Sequence, residues 1–465
     1  MREVRLAAGQ RLAQSDLERT GALPREIMDA AERIVDAVRE GGDAAVRDFC
    51  LKFDGACPDA FRVPDEVVAG ALDMVDPEFL SALKHAHAQI RDFHEREREQ
   101  SWFTTRDDGT ILGVKVSPIP SVAVYVPGGR AQYPSTVLMD TVPAKVAGVR
   151  RVVMVTPPQR DGSLSAYTLA AAAVAGVDEV YAVGGAQAIG AVAFGTESIP
   201  RVAKIVGPGN AYVAAAKRYV SGDVGIDMVA GPSEVCVLAD ATADPAVVAA
   251  DLMAQAEHDP LATCYLVTDA PELAGRVLAA VDLLATQSPR EEITRASLEH
   301  GLIVVATELG QAIDAVNLIA PEHLELHCEG AFDILGRIEN AGAIFVGPWS
   351  SEPLGDYVAG PNHTLPTGGT ALFSNPLGVY DFTKRSSVIA YTPEGLRKDG
   401  PSVQALAQAE GLWAHALSVG MREKLLSEGT ATFASMESAC EGAMRTAWPR
   451  ELAEPGVPNL SGAEG

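Results

Sequence analysis

From Val122 onward the chain alternates short β-rich runs with alanine-rich helical stretches, and this alternation constrains the fold more than any other feature. Runs at 121–126, 151–156, 179–183 and 202–206 predict strands. Stretches at 135–149, 164–177, 186–194 and 211–220 predict helices, joined by short Gly/Pro turns. Strand and helix in succession make βαβ units, whose strands pair in parallel. A second series follows Cys236: helix 245–258, strand 264–268, helices 272–284 and 291–299, strand 302–306, helix 309–319 and strand 343–346. The expected fold is therefore α/β, with two facing open Rossmann-like lobes over 121–235 and 236–383. Residues 1–120 read as mainly helical (26–49 and 77–100 carry apolar positions at three-to-four spacing) and are expected to join the first lobe. Residues 384–465 read as a helical tail. A chain of 465 residues is too long for one core, in keeping with this division.

Neither lobe carries G-x-G-x-x-G. Instead, Pro127-Gly128-Gly129, Gly184-Gly185 and Gly207-Pro208-Gly209-Asn210 each follow an expected strand of the first lobe, where open α/β sheets place ligands. One such turn is usually only a turn; three on consecutive units favour a nucleotide site of unspecified kind.

Composition excludes some partners. Lys and Arg total 37 against 62 for Asp and Glu, a net charge of −25 that repels phosphate backbones and anionic lipid. The first residues lack the apolar core of a signal peptide, and 180–196 is too short and too interrupted to span a bilayer. The six cysteines (Cys50, Cys57, Cys236, Cys264, Cys328, Cys440) show neither CxxC nor disulfide-framework spacing. The expectation is a cytoplasmic protein with reduced thiols that binds neither nucleic acid nor membrane.

Chemistry-bearing groups are few. Gln255 and His258 stand one helical turn apart and could grip one metal ion, or simply end a helix. Asp356, in a Gly/Pro-rich loop, could add a hard anionic ligand or close an Asx turn. Adjacent Glu322 and His323 suit sequential proton transfers near neutral pH, yet they also read as an exposed helix start. Glu410 and His415, five apart on an expected tail helix at 403–417, read in isolation as surface residues.

Taken together, the blocks VYVPGGRAQYPSTVLM, VGGAQAIGAVAFGTESIP, KIVGPGNAYVAAAKR, GIDMVAGPSEV, DLMAQAEHDP, APEHLEL, GDYVAGPNHTLPT and AEGLWAH closely resemble the histidinol dehydrogenase family, from about residue 25 to about residue 420. The resemblance implies an NAD-dependent, four-electron oxidation of histidinol to histidine through bound histidinal, completing histidine biosynthesis. It implies one zinc per subunit, on Gln255, His258, Asp356 and His415, an acid–base pair in Glu322 and His323, and NAD contacts at Tyr125, Gln187 and Asn210. Substrate contacts would fall on Ser233 and Glu410, together with the four zinc residues and His323. It also implies an intertwined homodimer in which the C-terminal segment completes the partner's zinc site. Arg130 and Asp140 depart from the family pattern, where a small residue or Lys, and Asn, are common. Two rivals remain: a paralogous zinc/NAD dehydrogenase of another small diol or amino alcohol, and a zinc-containing binding protein that has lost turnover.

Overall fold

The computed structural model describes residues 1–17, 19, 23–128 and 133–427. Arg130, Cys440 and the stretch beyond about residue 453 lie outside them. The chain divides into two compact units. The first comprises Met1–Arg98 and Pro118–Lys384, and the second Glu99–Ser117 and Arg385–Gly465.

Within the described residues the first unit holds two parallel sheets. One runs in the order Glu179–Ala182, Arg151–Thr156, Ser121–Tyr125, Lys204–Val206, Gly225–Ile226. Successive strands step outward from Ser121–Tyr125 on one side and then resume on the other. The chain therefore reverses direction across the sheet at that strand, and Gly128, Gly184-Gly185 and Gly207 all follow strands on its carboxyl edge. Helices Pro134–Val146, Ala166–Ala175, Gly185–Phe194 and Ala211–Val220 connect the strands, close to expectation. The strands are apolar nearly throughout, because a sheet covered on both faces has no wet side. Helix Arg25–Phe53 packs its buried Val35 and Val38 onto one face, and helix Pro77–Glu95 packs Leu83 and Ile90 onto the other.

The second sheet has the order Arg2–Arg5, Leu302–Val305, Thr263–Thr268, Glu234–Ala239, His323–His327, Ala343–Val346, all parallel. Three of these strands differ from the sequence reading. Arg2–Arg5 ties the N-terminus to this sheet, whereas residues 1–120 were expected to join the first lobe; four residues are too few to show a period. The other two are Glu234–Ala239 and His323–His327, which pair with each other in parallel. The second was expected, if anything, as an exposed helix start, but Ala320 takes a left-handed conformation (φ 48°) that stops the preceding helix, and His323 opens a buried strand. Loop residues after Asp356 bridge the sheets: the Asn362 side-chain amide donates to the Met139 carbonyl (2.6 Å) and the Thr364 hydroxyl to Asp140 (2.9 Å).

The second unit is not wholly helical. Strand Thr383–Ala390, which leads into it, joins Ile111–Pro118 and Trp102–Thr105 in a three-stranded sheet, and residues 99–117 group with the stretch from Arg385. The single helix expected at 403–417 is two: Pro393–Ala409 and Trp413–Ser427, broken where Gly411 takes φ 73°, a conformation that costs glycine little. Among the described residues no helix is long and apolar enough to cross a membrane.

Candidate active site and metal centre

Glu322 and His323 lie at the amino end of strand His323–His327, where it pairs with Glu234–Ala239 in the second sheet, and both are almost wholly buried. Glu322 Oε2 accepts the backbone N–H of Glu234 at 2.9 Å. Burial first, then the nearby Glu234 and Asp356, pushes this carboxyl well above its ordinary range; the amide and the Ser233 hydroxyl pull the other way. Ser233 thus acts on Glu322 directly.

His323 has a defined tautomer. Its Nδ1 sits 3.1 Å from the Glu234 carbonyl, which can only accept, so Nδ1 carries the proton and donates. The lone pair is then on Nε2, which is buried, has no hydrogen-bond partner and stands 3.9 Å from Asp356 Oδ1. Burial holds the imidazole pKa below its usual value, so the ring is neutral near pH 7. A neutral imidazole with an uncommitted nitrogen can serve as a general base.

Beside this pair, donor atoms of His258, Glu352 and Asp356 lie within 4.8 Å of one another. Glu352 and Asp356 share the short helix Glu352–Tyr357, four residues and one turn apart. Burial, then Asp356, pushes the Glu352 carboxyl up to about 9. One turn before His258, Gln255 is 1% exposed, and neither its amide nitrogen nor its oxygen has a partner. An unsatisfied buried amide beside a crowded pair of carboxylates and an open imidazole fits a divalent cation, which would satisfy the amide oxygen and hold both acids ionised.

The first sheet carries the residues expected to meet a nucleotide. Tyr125 is buried and its hydroxyl accepts the Gly185 N–H at 3.0 Å. Gln187, also buried, points its amide nitrogen at Asp54 (3.5 Å). Asn210 caps helix Ala211–Val220 by accepting from the N–H groups of Tyr212 and Val213, at 3.0 and 3.2 Å. Gly207, at φ 106°, is pinned from both sides: Asp227 accepts its N–H (2.8 Å), and the buried Lys217, paired with Asp227, donates to its carbonyl (2.8 Å). Glycine turns on one sheet edge, two of them pinned at Gly185 and Gly207, suit the close approach of a pyrophosphate.

Asp140 stands behind this turn, fully buried. Its carboxyl is pushed up to about 8 by burial and then by Asp227, with Thr364 and Lys217 opposing. A folded-state pKa raised above the unfolded value gives stability that is present at low pH and lost as pH rises through about 8. Asp140→Asn keeps the shape without the titration. From about pH 6 to about pH 9 its melting temperature should fall less than that of the natural protein, the gap widening by roughly 2–5 °C. Parallel melting curves across that range would contradict the role given to this carboxyl.

The decisive comparison is with the family model for histidinol dehydrogenase, which matches residues 17–423. The chain belongs to the histidinol dehydrogenase family. The histidinol dehydrogenase of Aquifex aeolicus is 52% identical over 404 residues, covering 86% of this chain and 93% of that protein. That of Bacillus subtilis is 51% identical over 396 residues, covering 85% and 93%. The crystal structure of histidinol dehydrogenase from Elizabethkingia anophelis matches with a TM-score of 0.87 at 34% identity, covering 92% of this chain and 99% of that one.

The structure gathers Ser233, His258, Glu322, His323 and Asp356 in the first unit, with Gln255 one turn from His258. Glu410 and His415 belong to the second unit, Glu410 capping helix Pro393–Ala409 and His415 exposed in the first turn of the next. Sequence reasoning missed Glu352 and His363, which the fold brings to Asp356. The i, i+4 spacing of Glu352 and Asp356 was the available signal, and His363 stood unassigned in the block that contains Asp356.

Proposed function

We propose that this chain oxidises histidinol to histidine through histidinal, in two successive hydride transfers to NAD, with zinc at Gln255, His258 and Asp356. The observation that carries this reading is the free Nε2 of His323, a buried neutral base beside Glu322 and the His258–Glu352–Asp356 group. In each oxidation Nε2 takes the hydroxyl proton as the carbon gives up hydride. Between the two, Glu322 takes a proton from water as its oxygen adds to the aldehyde; a carboxyl with a raised pKa is the stronger base for that step.

Zinc bound there would grip the imidazole and amino nitrogens of the substrate, and NAD at the glycine turns would accept hydride. The Tyr125, Gln187 and Asn210 region would hold the cofactor, and Ser233 would orient Glu322. Holding the substrate by its far end keeps the aldehyde in place between steps, an advantage of position.

A covalent thiohemiacetal route finds no nucleophile. Among the described cysteines, burial pushes the Cys50, Cys264 and Cys328 thiols up to about 12 and raises Cys236 as well, and none belongs to the site. Direct hydration needs no thiol.

The second unit supports a dimer in which His415 and Glu410 serve the partner's site. Helices Pro393–Ala409 and Trp413–Ser427 leave Leu406, Trp413, Leu417 and Met421 exposed, Trp413 by 73%. Uncovered apolar side chains grouped on two packed helices suit a self-association surface.

The test follows NADH absorbance with histidinol and with leucinol, which has the amino alcohol but no imidazole. Rapid reduction with histidinol and none above background with leucinol is expected. Preference for leucinol, or for a simple diol, would favour the paralogous dehydrogenase instead.

A further inference from the structure

Strand His323–His327 places His323, Glu325 and His327 on one face, since side chains alternate along a strand. Only His323 is used by the chemistry above. The other two point toward helix Pro245–Ala256, where Asp251 lies one turn before Gln255. His327 Nε2 stands 3.4 Å from Asp251 Oδ2 and 3.5 Å from Glu325 Oε2.

These contacts are not satisfied hydrogen bonds. All three facing atoms are buried without a hydrogen-bond partner, and their side chains are 3% (His327), 10% (Asp251) and 0% (Glu325) exposed. Two carboxylates in such a place need a counter-charge, yet the only cationic side chain within ion-pair distance of either, among the described residues, is His327 itself. The spacing suggests what supplies the charge. Around a tetrahedral zinc with bonds of about 2.0–2.1 Å, neighbouring ligands sit roughly 3.3–3.4 Å apart. The two edges that meet at His327 are close to that length, and all three donor atoms fall within 4.8 Å of one another.

We infer that Asp251, Glu325 and His327 form a second, buried divalent-cation site, for which zinc is the ion that the donors and spacing fit. It clamps helix Pro245–Ala256 to strand His323–His327. Those two elements also carry Gln255 and His323, and Glu325 reaches further: its Oε1 accepts the N–H of Glu352 at 2.7 Å. The second ion thus fixes three pieces of the first centre without touching substrate. It is a positioning site, independent of what the first centre binds.

Metal content of the full chain tests this, measured by plasma mass spectrometry after loading with zinc chloride and desalting. The natural protein should retain about two zinc ions per chain, and His258→Asn and His327→Gln about one each. The double variant should retain none. A natural protein with one zinc that His327→Gln keeps would overturn the inference and show that Asp251 and Glu325 share a proton instead. Loss of no zinc in His258→Asn would count against the first centre alone, so the two failures are distinguishable. Should His327→Gln not fold, Asp251→Asn replaces it, and a single zinc in the natural protein still overturns the inference.

Discussion

Glu322→Gln should leave metal content and the oxidation of histidinol to histidinal largely intact, while oxidation of histidinal to histidine slows by roughly two or more orders of magnitude. The asymmetry follows from the division of labour. In the proposed mechanism His323 Nε2 takes the alcohol proton in the first half-reaction and the hydrate proton in the second, whereas Glu322 is needed only where water must add. Glutamine is nearly isosteric and its side-chain oxygen can still accept the Glu234 N–H, so the strand pairing that orients His323 survives. Single-turnover measurements started separately from histidinol and from histidinal, with NADH followed in each, resolve the halves. Equal slowing of both would mean that Glu322 does not activate water.

The second large effect is recovery of activity from two inactive proteins. His323→Ala lacks the proposed base and His415→Ala lacks the ligand proposed to reach the partner's site. If His415 acts across the dimer, each mixed dimer has one site with both defects and one with neither. Co-refolding in equal amounts then makes half of the dimers mixed, and activity should return to about a quarter of the natural level. If His415 acts within its own chain, every site keeps one defect and the mixture stays inactive. Exposure of His415 and of the apolar side chains around it is what a segment waiting for a partner would show.

How far the sequence could be read depended on which physical signal each element carried. Helices Ala211–Val220 and Leu309–Ile319 and strands Arg151–Thr156 and Ala343–Val346 fall where their patterns put them, because alanine-rich stretches and short β-branched runs bounded by turns leave little choice. Strand His323–His327 has the opposite character. His, Glu and His alternate with Leu, which reads as one wet face, but both faces are buried and the polar one is filled with chemistry. Functional sites are where local pattern and fold disagree. Glu352, flanked by Ser351 and Pro353, resembles a turn residue; its i, i+4 spacing hints at Asp356, but only the fold brings its carboxyl to His258. Gly411 shows the limit of periodicity from another side, since one left-handed glycine separates Glu410 from His415 onto different helices.

The central claim is that one site performs both oxidations. It is tested most directly by counting: a known, limiting amount of histidinol is exhausted in excess NAD, and NADH and products are quantified together. Two NADH per histidinol, with histidine as the product and no histidinal left, is the result this account predicts. One NADH per histidinol with histidinal accumulating would contradict it.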